Sequence, residues 1–328
     1  MGLTTVLSKD NEELWRPAAA ATALQHIVVA VDASDAARGA IALGARLGAS
    51  FGSRIHLVHV VDLGHGPPAG TVDETRVAKA FDFAQTRLAE ERAVIRSPIA
   101  PAIAEVRPGR PASAIDAFAR EVGAELIVVG TRHRPGTHRL GEDGTAGEII
   151  QRAHVPVLVV HEHWKPGGPG EHAFRAPLVA VDYGDASTAA FRSAIVLARG
   201  AEVHVVHAIA DDVSWHVSDG RLRALHARAR AMAAARERLE QWIGTKVASA
   251  GARVRPFIAV GSPATAVVDV AVGGGFDLVT CGTHAPSAPA SVVLGSVAEA
   301  LLDAVTCPVL VLREARTPVT SAPPATRR

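Results

Sequence analysis

The chain repeats itself, and the length of the repeat limits what it can fold into. VVAVDAS at 28–34 returns as LVAVDYG at 178–184, and IHLVHV at 55–60 returns as VHVVHA at 203–208. GRPASAI at 109–115 returns as GSPATAV at 261–267, LIVVGT at 126–131 as LVTCGT at 278–283, and VPVLVV at 155–160 as CPVLVL at 307–312. The five segments keep one order, at offsets of 148 to 152 residues. A period of this length is a duplicated domain, since solenoid units run to about 20–50 residues. Whatever site one copy builds, the other builds in a variant form. With 328 residues in all, each copy can bury a core of its own; a domain of that size hides roughly 70% of its unfolded surface.

Within a copy, apolar runs alternate with amphipathic ones. HIVVAVD at 26–32 is almost wholly apolar, as a parallel strand covered on both faces requires. Ser34 is placed to cap a helix of small residues over 37–48. RIHLVHVV at 54–61 reads as a second strand. The helix after it turns Phe81, Ala84 and Leu88 inward, and its second-copy counterpart carries Leu222, Leu225, Met232, Leu239 and Trp242 at helical steps. Third strands are expected over 102–106 and 253–259, with a helix opening at Pro111, where a missing N–H costs nothing. ELIVVG and DLVTCG are fourth strands, and PVLVV and PVLVL are fifth strands. Helices opened by Gly144-Thr145 and Gly295-Ser296 stand between them. The pattern predicts an α/β chain of two tandem doubly wound domains, each with a five-stranded parallel sheet. The expected boundaries are a tail over 1–24, a domain over 25–162, a Gly/Pro-rich linker over 163–174, a domain over 175–314 and a disordered tail over 315–328.

A net charge of +1 supplies no field toward nucleic acid or a membrane surface. No apolar run reaches the 18 residues that a membrane span needs. Cys281 and Cys307 lack the spacing of a disulfide framework or a zinc site, so a reducing compartment fits. Lys9, Asp10, Glu12 and Glu13 do not suit a signal peptide. The expectation is a cytoplasmic protein.

Open α/β sheets bind ligands at the carboxyl ends of their strands. Asp32 and Asp182 end the first strands there. Gly130-Thr131-Arg132-His133 and Gly282-Thr283-His284-Ala285 leave the fourth strands, and Gly144-Thr145 and Gly295-Ser296 open the next helices. A Gly and a hydroxyl residue at a helix start offer unpaired N–H groups, a hydroxyl and the positive end of the dipole, which together suit an anion.

As a set, these segments resemble the universal stress protein family, twice over, across nearly the whole chain between its tails. Nucleotide-binding members carry G-x2-G-x9-G-[S/T] after strand four. The second copy keeps that spacing from Gly282 to Gly295-Ser296, with Ala285 in place of the second Gly. The first copy runs from Gly130 to Gly144-Thr145 with His133 in that place and one extra residue in the loop. The start D-x-S-x-x-S survives in halves, as Ser34 and Ser187. The resemblance implies a Rossmann-like sheet of the adenine nucleotide α-hydrolase type and a cytoplasmic stress-response protein holding ATP or another adenine nucleotide, with Mg²⁺ as the accompanying ion. It implies contacts from Asp182, Ala208, Gly282, Thr283, Ala285, Gly295 and Ser296 in copy two. In copy one the matching positions are Asp32, Val60, Gly130, His133, Gly144 and Thr145. It also implies that the fifth strands, apolar edges that need covering, join the copies; a homodimer is a further form, and protein partners are unknown. If one copy binds, copy two is expected to, since its spacing is intact.

No Walker lysine or nucleophile elbow points to an enzyme, and copy two offers no carboxylate, Lys or Arg over 285–297 to assemble a hydrolytic site. Three other readings stand beside the nucleotide-binding regulator: a slow ATPase or related nucleotide-processing enzyme, a scaffold without nucleotide, and a zinc-dependent regulator using His161, His163 and His172. Asp32 and Asp182 also suit plain helix capping. His56 with His59, and His204 with His207, should face opposite sides of a strand. Cys281 reads as a small core residue, and the arginines over 221–238 as a solvated helix face.

Overall fold

The computed structural model describes residues 24–32, 34–62, 74–95, 102–132, 144–165, 173–211, 221–247, 252–283 and 294–313. Both expected tails apart from Leu24, most of the linker and the loops after each fourth strand lie outside them. The first copy runs β1 (His26–Ala30), α1 (Asp35–Phe51), β2 (Arg54–Val61), α2 (Glu74–Val94), β3 (Ala102–Pro108), α3 (Pro111–Glu121), β4 (Leu126–Thr131), α4 (Thr145–Arg152) and β5 (Val157–His161). The second repeats it as β6 (Pro177–Ala180), α5 (Asp185–Ala198), β7 (Val203–Ile209), α6 (Arg221–Val247), β8 (Val254–Val260), α7 (Pro263–Gly273), β9 (Leu278–Thr283), α8 (Ser296–Ala304) and β10 (Val309–Arg313).

Each copy has the strand order 3-2-1-4-5, all parallel. The copies do not form two separate sheets. β5 pairs antiparallel with β10, so one ten-stranded sheet runs β3-β2-β1-β4-β5-β10-β9-β6-β7-β8. The seam hides the apolar edge that each copy would otherwise expose. Four helices cover each face. Under α1, α2, α5 and α6 lies one continuous core that includes Leu43, Leu57, Leu158, Phe174, Phe191, Leu239 and Leu310. Under α3, α4, α7 and α8 lies the other, with Ile115, Phe118, Ile149, Val157, Leu301 and Val311. Both cores cross the seam. Phe174, at the end of the expected linker, is 1% exposed and belongs to the first of them. A second tie between the copies is Arg199, held at φ +47 after α5, whose guanidinium donates to Ser50 O and lies 5.0 Å over the Phe51 ring.

The helices follow from local chemistry. Ser34 caps α1 by accepting the Ala37 N–H at 3.3 Å, and Pro111 and Pro263 stand in the first turns of α3 and α7. One expectation fails: Leu225 does not face the core but is 59% exposed, while Leu239 at the far end of α6 is fully buried. α6 is longer than the sheet edge it covers, so its early turns overhang.

Candidate functional site

In each copy the first strand leaves the sheet under the same restraint. The Val31 N–H donates to Val58 O at 2.8 Å, and the His59 Nδ1–H to Val31 O at 2.9 Å. In copy two the Val181 N–H donates to Val206 O at 2.9 Å, and the His207 Nδ1–H to Val181 O at 2.8 Å. Asp32 and Asp182 follow, both exposed. Asp32 Oδ1 accepts from the Ser34 N–H at 3.0 Å and from the Ser34 hydroxyl. Asp182 Oδ1 accepts from the Gly184 N–H at 2.9 Å. Ser34 and Gly184 are the N-cap residues of α1 and α5, so both carboxylates brace a helix start. Val60 and Ala208 lie beside them, half-buried on the second strands.

Within each copy the fourth strand lies beside the first, parallel to it, so Gly130-Thr131 stands at the same strand end as Asp32, and Gly282-Thr283 at the same strand end as Asp182. This is the switch point of the fold: α1 packs on one face after β1, and α4 on the other after β4. The empty side of each strand glycine is taken up by a helix. A Cβ on Gly130 would lie 2.4 Å from Ala36 C and 2.8 Å from Ala37 N; one on Gly282 would lie 2.6 Å from Ala186 C and 2.7 Å from Ser187 N. Each glycine admits the first turn of α1 or α5 against the strand. His133, His284 and Ala285 lie outside the described residues, as do the intervening loops.

The motif resumes at Gly144-Thr145 and Gly295-Ser296, which head α4 and α8. Among the described residues neither helix start is capped by a side chain, and none lies within 4 Å of a Cβ built on Gly295. Each first turn carries an acid that sequence reasoning passed over, Glu148 and Glu299. Both oppose an anion at the positive end of the helix.

The copies differ at the strand-one exit. Tyr183, the single tyrosine of the chain, takes φ +69 directly after Asp182. Its ring lies 4.5 Å from His207 and 5.9 Å from Trp242, with the Arg238 guanidinium 4.6 Å over its face. Its hydroxyl is buried without a hydrogen-bond partner among the described residues, and burial raises its pKa. Only its status as the lone Tyr could have singled it out. In copy one a cavity of about 20 Å³ opens beside Asp32 and His59, walled by Phe83, Arg87, Leu88 and Glu91 of α2.

Other expected residues resolve individually. His56 faces Phe118 of α3 whereas His59 faces α2, so the pair sits on opposite sides of β2. His161 is buried at the end of β5 and His163 lies in the turn after it, so they share no strand face; His172 is outside the described residues. No group of three His, Cys, Asp or Glu forms a metal cluster among the described residues. Cys281 is buried in the core, its thiol pushed up to about 12 by burial. Arg228, Arg230, Arg236 and Arg238 are exposed, and no described helix is long and apolar enough to cross a membrane.

Comparison with known proteins agrees with this architecture. The sequence model of the Universal stress protein family matches residues 23–161 and again 174–313. A universal stress protein of Methanocaldococcus jannaschii is 29% identical over 136 residues, 41% of this chain and 80% of its own length. The fold is similar to the crystal structure of a universal stress protein from Archaeoglobus fulgidus, with TM-score 0.64 and 17% identity, covering 88% of this chain and 98% of that one. It is also similar to a protein of unknown function from Pseudomonas aeruginosa, with TM-score 0.55 and 18% identity, covering 89% and 94%. With the family's domain present twice in one continuous sheet, the chain belongs to the universal stress protein family.

Proposed function

We propose that this chain is a cytoplasmic stress-response regulator that holds an adenine nucleotide in its second copy, without rapid turnover. The observation that supports this best is Tyr183. A buried hydroxyl with no partner among the described residues is uncommon in a folded protein, and a ligand group would satisfy it. Its ring stands beside Asp182 and is held under Arg238, where an adenine base could stack. The start of α8 would take the phosphates, with Gly295 open on its outer side and Ser296 adding a hydroxyl. Mg²⁺ would accompany a triphosphate from the solvent side. No carboxylate of α8 other than Glu299 stands near that end to act as a base, so release and rebinding would control occupancy. Equilibrium binding of radiolabelled ATP, with and without Mg²⁺, tests the reading. Saturable binding lost in Gly295→Trp and Tyr183→Ala but kept in Gly144→Trp supports it. The reverse pattern of losses, or a turnover above about one per second, refutes it.

A scaffold without nucleotide is favoured by one set of contacts. Asp32 and Asp182 brace helix starts, and Gly130 and Gly282 serve helix packing, so the motif residues have a structural use of their own. Absence of ATP binding, in a chain whose stability falls on mutation of those same residues, would select it.

A further inference from the structure

Copy two carries a second recess at the opposite end of its sheet. His204 and Arg255 are the second residues of β7 and β8, and α7 ends there at Gly273. Between them opens a cavity of about 380 Å³, within the usual size range of small-molecule sites. Its floor is His204, set between two phenyl rings, Phe257 at 5.8 Å and Phe276 at 5.1 Å. Val270 of α7 forms the apolar roof, and Arg255 and Asp269 stand on the rim.

The duplication shows how the recess arose. The counterpart of Val270 is Phe118, which in copy one is buried against His56 with the Arg107 guanidinium 4.9 Å over its ring. Copy one therefore fills this space with its own aromatic side chain. In copy two the aromatic mass has moved outward. Phe276 replaces Ala124, and its ring edge packs against Gly274, leaving no room for a Cβ there. The result is a lined hollow where copy one has packed core.

We propose that this recess binds a free α-amino acid with an apolar side chain. Such a ligand matches the lining group by group. The two rings and Val270 would receive the apolar side chain. Arg255 would take the carboxylate in a bidentate pair. Asp269, together with the carbonyls at the end of α7, which has no basic residue in its last turn, would take the ammonium. The Arg255 guanidinium lies 5.5 Å over the Phe257 ring, at the lip of the recess, and neither it nor Asp269 has an ion-pair partner among the described residues. His204 Nδ1 is buried without a hydrogen-bond partner among those residues, while Nε2 lies 3.5 Å from Glu202. Burial lowers its pKa, outweighing the opposing pull of Glu202, which leaves a neutral imidazole beneath the apolar group.

The test is calorimetric titration of the full chain with L-leucine and L-phenylalanine at millimolar concentrations, in the absence of nucleotide. N-acetyl-L-leucine, which lacks the ammonium, and L-leucinamide, which lacks the carboxylate, are the controls. The expected result is saturable binding of a free amino acid, weakened at least about tenfold for either control, the scale of one charged contact. Val270→Phe, which restores the first-copy side chain, should abolish binding. Arg255→Gln and Asp269→Asn alter exposed side chains and leave the core intact, and each should weaken binding about tenfold. No saturable binding of either amino acid, equal binding of the capped forms, or unchanged affinity in R255Q and D269N would overturn the proposal.

Discussion

Leu158 in β5 stands directly opposite Leu310 in β10, and in the duplicated sequence each is the other's counterpart. On either side Val157 meets Val311, the counterpart of Val159, and Val159 meets Val309, the counterpart of Val157. The seam therefore has local two-fold symmetry about the leucine pair, the arrangement of an isologous dimer interface within a single chain.

Both leucines are essentially unexposed and lie in the core that runs beneath α1 and α5. Leu158→Ala should cost about 2–5 kcal/mol, the range for a buried leucine. Because both cores cross the seam, the copies should unfold together. Calorimetry should give one transition, lowered as a whole in the variant. Two separated transitions in the native chain would show that the copies are independent.

Gly130 and Gly282 should matter through packing. Gly130→Ala places a methyl group inside the backbone of α1, and Gly282→Ala inside that of α5. The contact is with backbone, which cannot rotate aside, so each change should cost about 1–3 kcal/mol. Urea denaturation measures this. Wild-type stability in both variants would return these glycines to a purely ligand-facing role.

The order of the elements was legible because burial on two faces leaves a continuous apolar run, and Ser34 and Pro111 mark helix starts by chemistry that acts within one turn. Joining the copies into a single sheet was legible only in part. An apolar edge such as 156–160 requires a cover, but its composition does not state that the register centres on Leu158. The roles of the glycines were not legible at all. Gly130 looks alike in a sequence whether it admits a phosphate or a helix, and only the position of Ala36 decides. Tyr183 escaped for a similar reason: its setting depends on Arg238 and Trp242, more than fifty residues away. The recess under Val270 could have been found by comparing the copies position by position, since Phe118 against Val270 is a loss of core volume.

His56 should make stability depend on pH. It is 4% exposed on β2, and burial, with the neighbouring charges of His26 and Arg54 as lesser causes, lowers its pKa from 6.5 to about 4. Folding thus favours the neutral ring, and as pH falls the unfolded chain takes up the proton first. The stabilisation is complete above about 6.5 and is lost as pH drops toward 4, a total on the order of 3 kcal/mol. His204, lowered for the same reason, adds in the same direction. Urea midpoints at pH 7 and pH 5 should differ less in His56→Gln than in the native chain. An equal difference in both would show that His56 does not carry the effect.

Glu299 offers the most discriminating check of the second-copy nucleotide site. It lies in the first turn of α8, where a negative charge already satisfies the positive end of the dipole. A phosphate at Gly295-Ser296 would have to share that end with the carboxylate. Glu299→Gln removes the competitor, leaves the helix its other N-terminal groups and should tighten ATP binding. A first-turn charge is worth about 0.3–1 kcal/mol, so the gain should be roughly two- to fivefold at low salt and should shrink as salt screens it. Glu148→Gln makes the same change at α4 in copy one and should leave affinity unaltered. The pair of variants thus assigns the site without disturbing packing, since both side chains sit on helix surfaces. Tighter binding in E148Q with none in E299Q would move the nucleotide to copy one, and no change in either would remove the phosphates from these helix starts.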